Sequence, residues 1–152
     1  MGMVEAYLDT EIAMIRAGGF DVLGHPDLIK KNNLGNDGRQ NRLFREDGTL
    51  YREKTAAIAA LMAEKGIPSE VNTGGMNRGR IKDCYPSTAF LKLFRERGVP
   101  MIINADAHKA EDLCGHYEEA VRAMIEAGYT ETLIFEGRTD GRALWKSESL
   151  LS

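Results

Sequence analysis

A chain of 152 residues with 43% apolar and 28% charged side chains has the make-up of one ordinary globular domain, long enough to bury a core. Its net charge of −3, with Lys and Arg scattered along the chain, argues against a nucleic-acid partner, which favours a basic stripe. No apolar run approaches the roughly 20 residues that span a bilayer, and no basic segment leading into an apolar one marks a signal peptide at the N-terminus. Cys84 and Cys114 lie far apart without CxxC spacing, and read as free thiols of a reducing, cytoplasmic compartment.

In chain order, Val4, Leu8, Ile12 and Ile15 fall at helical spacing and predict a helix over about 3–17, stopped by Gly18-Gly19. Phe20 to Gly24 follows as a short strand ending at His25-Pro26-Asp27. The stretch 32–49, rich in Asn, Gly, Asp and Arg, reads as a long polar excursion of the kind that often carries function. A second helix is expected over about 51–65, closed by Gly66, then a strand from Ile67 to Asn72 and a Gly-rich basic loop from Thr73 to Arg80. Ser87 is suited to cap a third helix carrying Phe90, Leu91, Leu93 and Phe94, which ends at Gly98. Val99 to Asn104 reads as a third strand with Ala105-Asp106-Ala107-His108 at its C-terminal end. A fourth helix over about 115–127 stops at Gly128 and leads into a strand from Thr132 to Phe135. The tail 137–152 is expected to hold a short helix around Ala143-Leu144-Trp145.

Helix, glycine, strand and polar loop thus recur about four times, the alternation of an α/β chain. Each polar cluster follows a strand, and C-terminal strand ends are where βα barrels place their active sites.

Asp106 and His108 are the sharpest signal, because side chains at i and i+2 of a strand share a side. Carboxylate oxygen and imidazole nitrogen suit zinc, manganese or iron, although Asp at a strand end also serves as a simple cap. His25 ends a second strand, where the alternative is a turn built by Pro26 and capped by Asp27. Asp27 itself reads as structural. Glu70 and Asn72 share one face of the second predicted strand, either solvent-exposed at an edge or buried with partners. Arg78 and Arg80 on the Gly-rich loop could grip a phosphate bidentately or simply be solvated. Lys30 and Lys31 are weaker candidates for the same task, and His116 reads as a surface or capping residue. Neither cysteine has a base nearby in sequence to make it a nucleophile.

The phrases Asp21-Val22-Leu23-Gly24-His25-Pro26-Asp27-Leu28-Ile29-Lys30-Lys31 and Glu70-Val71-Asn72-Thr73-Gly74-Gly75-Met76-Asn77-Arg78-Gly79-Arg80 carry a resemblance. Tyr85-Pro86-Ser87, Gly98-Val99-Pro100 and Asn104 to Leu113 extend it in the same order. Together they resemble the C-terminal portion of histidinol-phosphate phosphatases of the polymerase-and-histidinol-phosphatase (PHP) type. The resemblance implies a distorted seven-stranded βα (TIM-like) barrel, of which residues 1–136 would form the C-terminal part and 137–152 a tail. It implies metal-dependent hydrolysis of L-histidinol phosphate, with His25, Asp106 and His108 matching metal ligands and Arg78 or Arg80 matching the basic position that holds the phosphate. A metal-bound hydroxide would be the nucleophile, with no further catalytic side chain assigned.

The family's N-terminal His-x-His and its following His and Glu ligands have no counterpart among His25, His108 and His116, the histidines of this chain. The expectation is therefore a truncated chain with an incomplete cluster of zinc, manganese or iron, and weak or no activity alone. Whether it is an enzyme by itself stays open. An open partial barrel exposes sheet edges, which a homodimer would cover. Two other readings stay open: a non-catalytic metal-binding or interaction remnant of the fold, and a phosphatase for another small phosphate monoester. The missing His-x-His is the feature that separates the remnant from the phosphoesterase. The Gly-Gly-Met-Asn-Arg-Gly-Arg loop, an anion grip fitted to a small phosphate, favours histidinol phosphate.

Overall fold

Burial follows the sequence periodicity closely enough to explain the helices. In the computed structural model, which describes residues 2–33 and 43–151, helix α1 (Met3–Ala17) turns Val4, Leu8, Ile12 and Ile15 inward. Helix α2 (Thr49–Lys65) buries Tyr51, Thr55, Ile58, Ala59 and Met62, and Gly66 in the left-handed region closes it by donating to Ala63 and Met62 carbonyls. A single turn, α3 (Gly74–Asn77), forms inside the segment expected to be loop. Helix α4 (Thr88–Glu96) buries Phe90, Leu91 and Phe94, and α5 (Tyr117–Glu126) buries Ala120 and Met124. Ser87 does precede α4 as expected, but its hydroxyl makes no capping hydrogen bond.

Strand β1 (Ser69–Asn72) pairs in parallel with β2 (Met101–Asn104), in a register that sets Asn72 beside Asn104. On the other side of β1, the predicted strand 20–24 reduces to a parallel bridge between Leu23 and Ser69. Leu23 N–H donates to the Pro68 carbonyl at 2.9 Å, and Glu70 N–H donates to the Leu23 carbonyl at 3.3 Å. The start of β3 (Glu131–Thr139) is tied to β2 by the Thr132 hydroxyl, which donates to the Met101 carbonyl at 3.1 Å. Helix-to-strand units therefore stand side by side as the alternation predicts, in a mixed α/β arrangement of short sheets.

Val71 and Met101 pack into a core shared with Leu8, Ile58, Met62, Leu91 and Phe94. Because side chains alternate along a strand, Glu70 and Asn72 point to the opposite face. One face of β1 thus serves the core and leaves the other for chemistry.

The tail departs from expectation. Residues expected to form a short helix around Ala143–Trp145 lie in strand β4 (Arg142–Ser149), antiparallel to β3. Asp140 and Gly141 at its turn both have positive φ, 48° and 77°, the geometry that an Asp-Gly hairpin turn requires. Ala143 and Trp145 are half-buried while Leu144 is exposed, a period of two rather than of 3.6. Trp145 meets Phe135 edge to face at 5.5 Å between ring centroids. Of the polar excursion expected over 32–49, residues 34–42 lie outside the described residues. Asn33 joins its two ends: its Oδ1 accepts from Leu43 N–H at 2.9 Å and Phe44 N–H at 3.1 Å.

Cys84 is buried and Cys114 exposed, both as free thiols. Burial pushes the Cys84 thiol up to about 11, so it stays protonated and unreactive. Glu11 is also buried, on α1, and burial raises it from its ordinary 4.5 to about 8, opposed by a hydrogen bond from Tyr7 and reinforced by the charge of Asp27. The folded state thus keeps a proton on Glu11 that the unfolded chain releases near 4.5. That contribution is intact below the lower value and is lost as pH rises through about 8. Glu11→Gln should remove this loss, so urea melts at pH 5 and pH 8.5 should show the variant gaining on the parent only at the higher pH.

Candidate functional site

The strand ends are held together by one buried carboxylate. Glu70 is only 6% exposed. Its Oε1 accepts the His25 backbone N–H at 3.0 Å and Asn72 Nδ2 at 2.8 Å, and its Oε2 accepts Asn104 Nδ2 at 2.5 Å. The His25 and Asn104 donors come from the neighbouring parallel segments, so one side chain stitches the end of the 20–24 segment to β1 and β2. A buried carboxylate is tolerable when N–H donors replace its water, as here.

The stitch continues toward Asp106. Asn72 Oδ1 accepts the Gly74 N–H at 2.9 Å, and Thr73 N–H donates to the Asn104 carbonyl at 2.9 Å. A Cβ on Gly74 would lie 2.7 Å from Asp106 Cβ and 2.9 Å from its Oδ2. Only glycine lets that carboxylate rest on the α3 backbone. Asp106 itself takes φ 47°, a left-handed conformation that Asp accepts better than most residues. It re-aims the chain just past β2.

Arg78, on the turn after α3, completes the group. Its Nη2 donates to Asp106 Oδ2 at 2.8 Å and its Nη1 to the Asp106 carbonyl at 3.1 Å. Nη1 also stands 2.9 Å from His108 Nδ1, which is 2.9 Å from that same carbonyl. An unprotonated Nδ1 accepts from Arg78, whereas a protonated one donates to the carbonyl. The structure thus brings Asp106, His108 and Arg78 together. Among the described residues no contact joins Arg80 to them, and its side chain is exposed. Its charge, with that of Arg78, lowers the Tyr85 phenol, which burial and Asp27 push up to about 12.

His25 takes φ 26° and faces Tyr85 edge on, with ring centroids 6.3 Å apart. Its tie toward the group is its backbone N–H bond to Glu70, and among the described residues no hydrogen bond or ion pair joins its side chain to Asp106 or His108. Asp27 is fully buried and accepts the Ser87 N–H at 2.6 Å, with Lys30 Nζ 3.6 Å away. Burial raises the Asp27 carboxyl, while Lys30 and the Ser87 N–H pull it down. Lys30 is spent on structure: it donates to the Cys84 carbonyl at 2.7 Å and lies over the Tyr85 ring. His116 is exposed just before α5, with Nδ1 3.4 Å from Glu119 Oε1.

Sequence reasoning passed over Asn104, Gly74 and Asn77, whose Nδ2 donates to the Ala105 and Asp112 carbonyls at 3.4 and 3.3 Å. Asn104 is detectable in hindsight, because it precedes Asp106 by two in the same pattern that links Glu70 to Asn72. Asp106 and His108 are metal-ligand types, and a zinc site takes three or four protein ligands. Among the described residues no three His, Cys, Asp or Glu side chains converge as a metal-holding group. The donors among the described residues do not by themselves fit a metal cluster.

The fold and these strand ends define the class: the chain is similar to histidinol-phosphatase-like proteins. A Deinococcus radiodurans protein named "Probable histidinol-phosphatase" is 27% identical over 129 residues, covering 84% of this chain and 44% of that protein. The crystal structure of a candidate histidinol phosphatase, HisK, from Listeria monocytogenes superposes with a TM-score of 0.64 at 24% identity, covering 74% of this chain and 42% of that one. The chain spans less than half the length of these relatives. No protein-family model matches it. No described helix is long and apolar enough to cross a membrane.

Gly74→Ala should force Asp106 off the α3 backbone and cost about 2 kcal/mol, the range for overpacking a closed contact. Urea denaturation of the two proteins measures the difference.

Proposed function

We propose that this chain is the C-terminal part of a PHP-type phosphoesterase, a partial βα barrel whose strand ends handle a small phosphate monoester, L-histidinol phosphate first among them. The observation that carries this reading is the group formed by Arg78, Asp106 and His108 just past β2, a guanidinium beside a carboxylate and an imidazole. A guanidinium there offers a planar pair of donors to phosphate oxygens. Arg80, exposed two residues on, adds positive field at the entrance.

In this proposal His25, Asp106 and His108 are donors to divalent metal ions, zinc, manganese or iron. The described residues do not fit a complete site, and in this proposal another polypeptide or another copy supplies further donors. The setting is cytoplasmic histidine biosynthesis. A second copy is the simplest cover for the exposed apolar residues of the hairpin, Ile134, Phe135 and Leu144, which are 43%, 54% and 42% exposed. The competing reading, a non-catalytic remnant of the fold, draws on Asp106 and His108 both being engaged by Arg78.

Phosphate release from L-histidinol phosphate, with manganese or zinc added and light scattering run on the same sample, tests the proposal. Expected are slow, metal-stimulated turnover by a dimeric species and its loss in Arg78→Ala. A monomer that binds metal yet releases no phosphate from any monoester would leave the remnant reading ahead.

A further inference from the structure

The Arg78 guanidinium has two claimants. In the proposed function it holds a phosphate, yet both of its terminal nitrogens are directed at the 106–108 turn. Nη2 is 2.8 Å from Asp106 Oδ2, and Nη1 is 3.1 Å from the Asp106 carbonyl and 2.9 Å from His108 Nδ1. We infer that in the metal-free chain Asp106 is a built-in competitor for Arg78, so that an anion binds by displacing its carboxylate from the guanidinium. This inference rests on Arg78 being the anion grip.

A guanidinium binds carboxylate or phosphate most strongly through two parallel N–H bonds from one edge. The Nη1–Nη2 edge already faces the carbonyl and carboxylate oxygens of Asp106. A phosphate oxygen arriving at that edge meets both occupied donors and a like charge one hydrogen bond away. The carboxylate is also pinned from behind, because the missing Cβ of Gly74 leaves it resting against the α3 backbone. The latch is nevertheless not sealed. The Arg78 and Asp106 side chains are 26% and 37% exposed, and exchange in a water-accessible ion pair is cheap because such pairs are weak.

The consequence is selectivity by charge. A phosphate monoester carries close to two negative charges near neutral pH, and its three free oxygens can replace both Asp106 contacts. A single carboxylate brings no more charge than Asp106 already supplies, and it has no advantage of tethering. The site therefore discriminates against carboxylates in favour of dianionic phosphates, with Asp106 setting the threshold.

Calorimetric titration with inorganic phosphate, in the presence of a chelator and with acetate as control, reads this out without metal or turnover. Asp106→Asn removes the charge and keeps the shape, and Asn is at ease at positive φ. Asp106→Ser does the same service should the amide disturb the turn, and circular dichroism verifies the fold of each. Loss of one charge-assisted bond predicts phosphate binding roughly tenfold tighter in Asp106→Asn than in the parent, with acetate binding gained as well. Asp106→Glu should stay as weak as the parent, and Arg78→Ala should abolish binding in either background. Equal or weaker phosphate binding by Asp106→Asn, with Arg78→Ala still abolishing it, overturns the competitor alone. Phosphate binding indifferent to Arg78→Ala, or absent from both the parent and Asp106→Asn, overturns the anion grip together with it.

Discussion

Everything at the strand ends depends on how the Glu70 carboxylate is held. A carboxylate buried beside a core is costly unless donors replace its water, and here the donors are the His25 amide and the side chains of Asn72 and Asn104. The cost of burial becomes a constraint on geometry, because the His25 and Asn104 donors belong to neighbouring segments of the sheet. The 20–24 segment has little regular pairing of its own beyond the bridge at Leu23. Glu70 fixes where its end, and so His25, comes to rest. From the same residue the network runs through Asn72 to Gly74, and Gly74 in turn gives Asp106 its seat. The strand ends carrying His25 and Asp106 are therefore positioned by one set of polar bonds rather than by the apolar core.

The core does the complementary work on the other face of β1, where Val71 packs with Leu8, Ile58 and Met62. Most of that layer was legible in the sequence. Buried residues of α1 fall at the spacing read from Val4, Leu8, Ile12 and Ile15, and glycines close the helices where expected. Period and punctuation are local signals, so they survive without tertiary information. The tail differs from expectation for the same reason: Ala143-Leu144-Trp145 is too short to show a period, and the Asp140-Gly141 turn decides the pairing instead. The turn inside Thr73–Arg80 escaped because its glycines suggested loop, whereas they serve close approach to Asp106, Ile81 and Tyr85.

The candidate site was only half legible. Asp106 and His108 stand out by type and spacing, and they do lie together with Arg78. That Arg78 rather than Arg80 joins them depends on a turn of backbone that no residue pattern announces. Glu70 could be read either as a solvated edge residue or as a buried one, and only the register of β1 with β2 decides between them. Lys30, readable as an anion ligand, instead packs against Asp27, Cys84 and Tyr85. Similarity to proteins of which this chain spans less than half then gives the strand ends a context, while the donors among the described residues stop short of a complete metal group.

Amide hydrogen exchange at His25, followed by NMR in the parent and in Glu70→Ala, tests the central role of Glu70 most directly. Among the described residues the His25 N–H has no backbone acceptor and is held by the Glu70 carboxylate. It should exchange as slowly as the amides of Glu70 and Asn72 in the parent, and as fast as an open loop once the carboxylate is removed, while amides of α4 stay protected. Exchange at His25 that is already fast in the parent, or unchanged in Glu70→Ala, would contradict it.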